Sequence, residues 1–190
     1  ELPVVLCGPD ANIRDPKILM RYPQIRYVLQ GEYEVTLLEL VRSLERSMSS
    51  PLSQVSGLMY RHNGSFELNV PRPLLPNLDD LPWPWRDPLP MYTYNDAPGG
   101  IPRPSVQMIA SRGCPYNCGF CLWPQVMYGG RNYRMRGVQD TVDEMEHLVR
   151  QYGFQSIYFD DDTFNISRPR TLAFAEELMR RRAEGRLNVP

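Results

Sequence analysis

Residues 105–121 read Ser-Val-Gln-Met-Ile-Ala-Ser-Arg-Gly-Cys-Pro-Tyr-Asn-Cys-Gly-Phe-Cys, a β-prone run followed at once by three cysteines. The strand is Val106 to Ala110, and Cys114, Cys118 and Cys121 have the spacing Cys-x3-Cys-x2-Cys. That spacing brings three thiolates around one point and supplies no fourth. A cubane of four irons normally takes four cysteines, so three leave one iron open to a small molecule. An open iron at a strand end points to catalysis rather than to a structural staple.

Zinc is the competing occupant, since it also takes thiolates in tetrahedral sites. It would need a fourth ligand, and the candidates are poor. Cys7 lies in a distant segment, His62 in a polar turn, and His147 off the apolar stripe of its helix, as a solvated surface residue. Zinc motifs also usually come as two Cys or Cys/His pairs, which are absent here. A disulfide fits less well: four cysteines in 190 residues, without a signal peptide, read as a reducing compartment and a cytoplasmic protein.

Downstream of the cysteines the pattern alternates. Val138, Val142, Met145, Val149 and Tyr152 form one helical stripe, with Gly153 as terminator. Ser156 to Phe159 is the next strand and runs into Asp160, Asp161 and Asp162. Alternation sends Asp160 and Asp162 to one face and Asp161 to the other. A further helix starts near Ser167 with Pro169 in its first turn, turning Leu172, Ala175, Leu178 and Met179 inward. Strand–helix–strand–helix of this kind predicts parallel pairing, with both the cysteine loop and the aspartate run at strand C-termini, where barrel enzymes place chemistry.

Upstream, Val4 to Leu6 reads as a strand buried on both faces. It is followed by the turn cluster Cys7 to Asp10, a short helix around Asp15 to Arg21, and a strand over Tyr27 to Leu29 closed by Gly31. Thr36 is the expected cap of a helix carrying Leu37, Leu40, Val41, Leu44 and Met48, lying on a parallel sheet. His62-Asn63-Gly64 joins two strand-like runs, and Asn-Gly is a strong hairpin signal. Pro71 to Pro90 is proline-dense and predicts an extended arm, with Trp83 and Trp85 as packing anchors.

Composition is that of an ordinary globular chain: 42% hydrophobic, 23% charged, net charge −1. Near-neutrality offers no general pull toward nucleic acid or an anionic membrane, and no apolar run has the length of a membrane span. The run Arg180 to Arg182 near a helix end reads as a solvated face. Glu1 directly before a strand, and Pro190 on the way into another, read as cut ends of a longer enzyme.

The cysteine motif, with Phe120 before the third cysteine, resembles the radical S-adenosylmethionine (SAM) superfamily. Leu-Cys-Gly-Pro-Asp at 6–10 and Gly-Glu-Tyr-Glu-Val-Thr at 31–36 are similar to the last third of the cobalamin-binding domain that precedes many such barrels. There Gly-Gly-Pro-His and Gly-Glu-x-Glu-x-Thr are common, so Cys7 replaces a glycine and Asp10 the histidine. The family's Asp-x-His-x-x-Gly would lie before Glu1. The resemblance implies an α/β chain in three parts. Residues 1–50 would be the C-terminal part of a Rossmann-like cobalamin-binding domain, 51–104 a hairpin and proline-rich linker, and 105–190 the first βα units of a partial (β/α) radical SAM barrel.

It implies further that Cys114, Cys118 and Cys121 hold a 4Fe–4S cluster whose open iron chelates SAM, with Gly113 and Gly119 letting the backbone fold around it. Phe120 would pack near the SAM adenine, Asp161 or Asp162 would take the SAM amino group, and Gly8 and Gly31 would approach a cobalamin. The implied chemistry is reductive SAM cleavage that starts radical chemistry, with cobalamin-dependent methyl transfer or cyclisation among the outcomes. Substrates would be small molecules, lipid-like or tetrapyrrole-like, and the electron donor a flavodoxin or ferredoxin. Two alternatives stand beside this: a radical SAM enzyme modifying transfer RNA, against which the neutral charge speaks, and a non-catalytic zinc-binding module.

Overall fold

The computed structural model describes residues 2–13, 15–45, 51–94 and 98–188. The chain divides into two compact units: Glu1–Leu75 with Pro115–Asn132, and Pro76–Cys114 with Tyr133–Pro190. Each is mixed α/β and contains a parallel strand pair.

In the first unit a four-stranded sheet has the order β1 (Val4–Leu6), β2 (Ile25–Leu29), β3 (Leu58–His62), β4 (Ser65–Leu68). β1 and β2 are parallel, while β2–β3 and β3–β4 are antiparallel. The sheet is therefore mixed rather than parallel throughout. The hairpin forms as expected, with Asn63 at φ 46° and Gly64 at φ 81°, the two left-handed positions of a tight type I′ turn. It also hydrogen-bonds back to β2 and extends the sheet. Helix α3 (Glu34–Leu44) contributes Leu40 to one face, where Leu29, Val55, Leu58 and Tyr60 are buried. Helices α1 (Pro9–Ile13) and α2 (Pro16–Leu19) bring Ala11 and Leu19 against Val28 and Met59 on the other. Each such large side chain removed from water contributes about 1.5–3 kcal/mol.

Three expectations need correcting here. β1 is not buried on both faces: it is an outer strand, with Val4 42% and Val5 38% exposed. Part of the expected turn at 7–10 is the start of α1, because Pro9 suits a first helical position. Thr36 is buried inside α3 and does not cap it; its hydroxyl donates to Ser56 O at 3.0 Å, and Tyr33 is the N-cap. Met48 lies outside the described residues.

In the second unit β5 (Ser105–Met108) pairs in parallel with β8 (Ser156–Phe159), with Gln107 opposite Tyr158. The parallel βα expectation holds, with helices α4 (Val138–Tyr152) and α5 (Arg168–Ala183) following these strands. Gly153 at φ 69° ends α4, and the Ser167 side chain accepts from Arg170 N at 3.4 Å to start α5. Val106 and Met108 face Val142, Met145, Leu148, Phe154, Phe174 and Leu187 in the core. A second ribbon, β6 (Ser111–Cys114) with β7 (Asn132–Met135), follows the first strand and carries no alternation that would announce it.

α5 buries the expected residues only in part: Leu178 packs against the core, while Ala175 is exposed. Leu172 and Met179 are 53% and 70% exposed, and the buried stripe is Arg170, Phe174, Glu177 and Arg181. Arg181 repays its burial by pairing with Glu177, Glu146 and Asp143, each at 2.6 Å. Arg181 is thus buried and paired, and the reading of 180–182 as a solvated face fails there.

The proline-rich arm runs without long regular elements over α4. Trp83 is the anchor expected of it: its indole N–H donates to Asp140 at 2.9 Å and its ring lies 5.5 Å from that of His147. Trp85 is not, being 74% exposed. Arg86 is buried against Glu144 at 2.9 Å. On the edge of β5 away from β8, carbonyls meet guanidinium groups instead of a strand. Arg86 Nη2 donates to Gln107 O at 3.4 Å and Arg136 Nη1 to Ile109 O at 3.0 Å.

Candidate functional site

The three cysteines fall on two pieces of scaffold. Cys114 ends β6 in the second unit; Cys118 and Cys121 belong to the first. All four cysteines are free thiols, with Cys114 and Cys121 half-buried and Cys118 exposed. Among the described residues no group of three His, Cys, Asp or Glu side chains already converges to hold a metal ion. His62 and His147 find other partners, Glu67 at 2.6 Å and the Trp83 and Tyr152 rings.

Behind Cys114, the aspartate run holds β6 in place. Gly113, at φ 84°, donates its N–H to Asp162 at 3.1 Å, and Cys114 Sγ lies 3.4 Å from Thr163 Oγ1. Asp161 accepts from Ala110 N at 3.1 and 3.2 Å and from the Ser111 hydroxyl. Burial pushes the Asp161 carboxyl above the usual carboxylate range, more strongly than those hydrogen bonds draw it down. Asp160 instead accepts from Gln107 Nε2 on β5. The expected alternation fails because β8 ends at Phe159, so Asp161 and Asp162 both turn to β6.

Arg170 was invisible to sequence reasoning. From the first turn of α5, 8% exposed, it donates to Ala110 O at 3.0 Å and Arg136 O at 3.3 Å, tying the start of β6 to the end of β7. Its Nη1 is buried without a partner.

In the first unit, Cys121 N donates to Cys118 O at 3.0 Å, closing a tight turn. Gln125, also unforeseen, donates from one amide nitrogen toward the carbonyls of Cys118, Gly119 and Cys121 at 3.3, 3.4 and 2.9 Å. It stands on a wide helical turn, Trp123–Met127, seated by the buried Pro124. Phe120 is 93% exposed at the tip. Gly113 takes a left-handed φ of 84°, and Gly119 is not among the positive-φ glycines.

Gly8 (φ 94°) and Gly31 (φ 65°) follow β1 and β2, and one residue joins their loops. Asn12 donates to Gly8 O at 3.1 Å and accepts from Gly31 N at 2.7 Å. Asn12, Gly31, Arg72, Met127 and Tyr128 line a cavity of about 230 Å³. In the second unit a cavity of about 430 Å³ is walled by Trp83, Leu89, Met91, Ile109, Gln107 and Tyr158. No helix among the described residues is long and apolar enough to cross a membrane.

No family profile matches the chain. It is 35% identical over 171 residues to an uncharacterized methyltransferase of Pyrococcus horikoshii, covering 89% of this chain and 35% of that protein. It is 29% identical over 182 residues to the anaerobic magnesium-protoporphyrin IX monomethyl ester cyclase of Cereibacter sphaeroides, covering 93% of this chain and 28% of the cyclase. The chain thus spans about a third of the length of these curated relatives. Its fold matches the radical SAM methyltransferase TsrM of Kitasatospora setae, solved with cobalamin and a 4Fe–4S cluster. The TM-score is 0.67 at 24% identity, over 98% of this chain and 36% of TsrM.

Proposed function

We propose that the whole protein is a radical SAM enzyme of the cobalamin-containing kind, on the footing of its homology to such proteins. Residues 1–50 are then the last part of a cobalamin-binding domain, 51–104 the connector, and 105–190 the opening of a partial barrel. Cys114, Cys118 and Cys121 hold a 4Fe–4S cluster. The observation that carries this is the donor set itself: three free thiols at this spacing, two of them on a closed turn, while His62 and His147 are engaged elsewhere. When bound, a reduced cluster supplies the electron that splits SAM into methionine and a 5′-deoxyadenosyl radical.

The chain's own residues position and shield. Asp161 and Asp162, both hydrogen-bonded to the 110–113 segment that leads into Cys114, are the carboxylates for the SAM ammonium. The exposed ring of Phe120 is available to lie against the adenine. Gly8 and Gly31, drawn together by Asn12, give a corrinoid two loops without side chains to clear. The reaction would be methyl transfer or ring closure on a small molecule, with a flavodoxin or ferredoxin as electron donor.

The test is anaerobic purification of the full-length protein, with iron and sulfide analysis and incubation with SAM and a reductant. About four irons and four sulfides per chain, and release of 5′-deoxyadenosine, support the proposal. One zinc per chain, or a chromophore that survives Cys118→Ala, overturns it.

A further inference from the structure

Carbonyl oxygens are the negative ends of the peptide dipoles. A cluster already carries the negative charge of its thiolates, and hydrogen bonds and dipoles around the sulfurs tune its potential. A loop that wraps such a cluster therefore has to dispose of its own carbonyls. In the loop from Cys118 to Cys121, three of them point at the same side-chain nitrogen, Gln125 Nε2. A primary amide has two N–H groups and is a donor only at its nitrogen, so this arrangement fixes which way the amide lies.

The backbone around Gln125 is itself held. Tyr128 N donates to Trp123 O at 3.3 Å and Gly130 N to Pro124 O at 2.6 Å, closing the wide turn that carries the side chain. Wide turns of this kind are uncommon and occur often at functional sites.

We infer that Gln125 is a positioning residue of the cysteine loop, gathering the carbonyls of Cys118, Gly119 and Cys121 and so turning their negative ends away from the two thiolates. The inference rests on the iron–sulfur reading of those cysteines and adds a residue to it. It makes Gln125 a determinant of how firmly the cluster is held and at what potential it is reduced, acting through the loop carbonyls.

The test compares parent, Gln125→Glu and Gln125→Met in the anaerobically purified full-length protein. Glutamate keeps the size and removes both donors; methionine keeps the bulk without repelling the carbonyls. Expected are a more negative midpoint potential and at least about tenfold faster loss of iron to a chelator for Gln125→Glu, with Gln125→Met intermediate. Far-UV circular dichroism of the metal-free proteins should coincide. If Gln125→Glu fails to fold, Gln125→Met carries the comparison alone. Potentials and iron loss equal to the parent's in a folded variant overturn the role of Gln125 and leave the cluster reading standing. A parent protein that holds no iron overturns both.

Discussion

Arg86 and Glu144 meet at 2.9 Å with side chains 8% and 1% exposed, joining the proline-rich arm to α4. The second oxygen of Glu144 takes Arg136 at 2.5 Å, so one buried carboxylate faces two guanidinium groups. Removing one partner of a buried pair leaves an uncompensated charge and costs about 3–5 kcal/mol. Glu144→Gln should lower the unfolding free energy by about that amount in urea titration. A loss under about 1 kcal/mol would mean that water reaches these groups.

Glu177 offers a pH test. Hydrogen bonds from Arg180, then Arg181, outweigh the cost of burial and hold its carboxyl down to about 2 from the ordinary 4.5. A depressed carboxylate stabilises the fold fully above its unfolded pKa and loses that contribution as pH falls through the folded value. Stability of the parent should therefore decline between pH 4.5 and 2. Glu177→Gln should be less stable at neutral pH and show a flatter acid limb in thermal melts at stepped pH.

The two tryptophans of the arm should respond unequally. Trp83→Phe keeps a ring beside His147 but loses the hydrogen bond to Asp140, a cost of about 0.5–1.5 kcal/mol. Trp85→Phe, at a site 74% exposed, should change stability by less than about 0.5 kcal/mol. Equal effects would remove Trp83 from its anchoring role.

Gly57 adopts φ 76°, and an added Cβ would stand 3.0 Å from Thr36 Oγ1 and 3.2 Å from Arg72 Cβ. Left-handed backbone alone costs a non-glycine residue about 1–2 kcal/mol. Gly57→Ala should exceed that cost, since Arg72 Nε also donates to Thr36 Oγ1 at 2.8 Å and has little room to move. Gly64→Ala, at φ 81° with open space around it, is the control for backbone strain by itself. Equal unfolding midpoints for the two variants would refute the crowding argument.

What could be foreseen was local. The Asn63-Gly64 turn, the caps Ser167 and Gly153, and the parallel pairing of β5 with β8 follow from short patterns and their spacing. The cysteine spacing singled out Cys114, Cys118 and Cys121, but not the residues that hold the backbone around them. Asn12, Gln125 and Arg170 act through backbone carbonyls and amides, and no residue-type pattern encodes such partners. α5 misled for a related reason. A hydrophobic stripe was sought where paired charge fills the interior, and arginine can be buried once Glu177, Glu146 and Asp143 surround it. Val4 and Val5 misled in the opposite sense, being apolar yet on an outer strand.

With Gln107 O and Ile109 O occupied by Arg86 and Arg136, the β5–β8 pair can grow in only one direction. A newcomer must join alongside β8. The other flank presents charged, forked side chains where a stray extended polypeptide would need bare acceptors, which guards that edge of the pair against self-templated stacking.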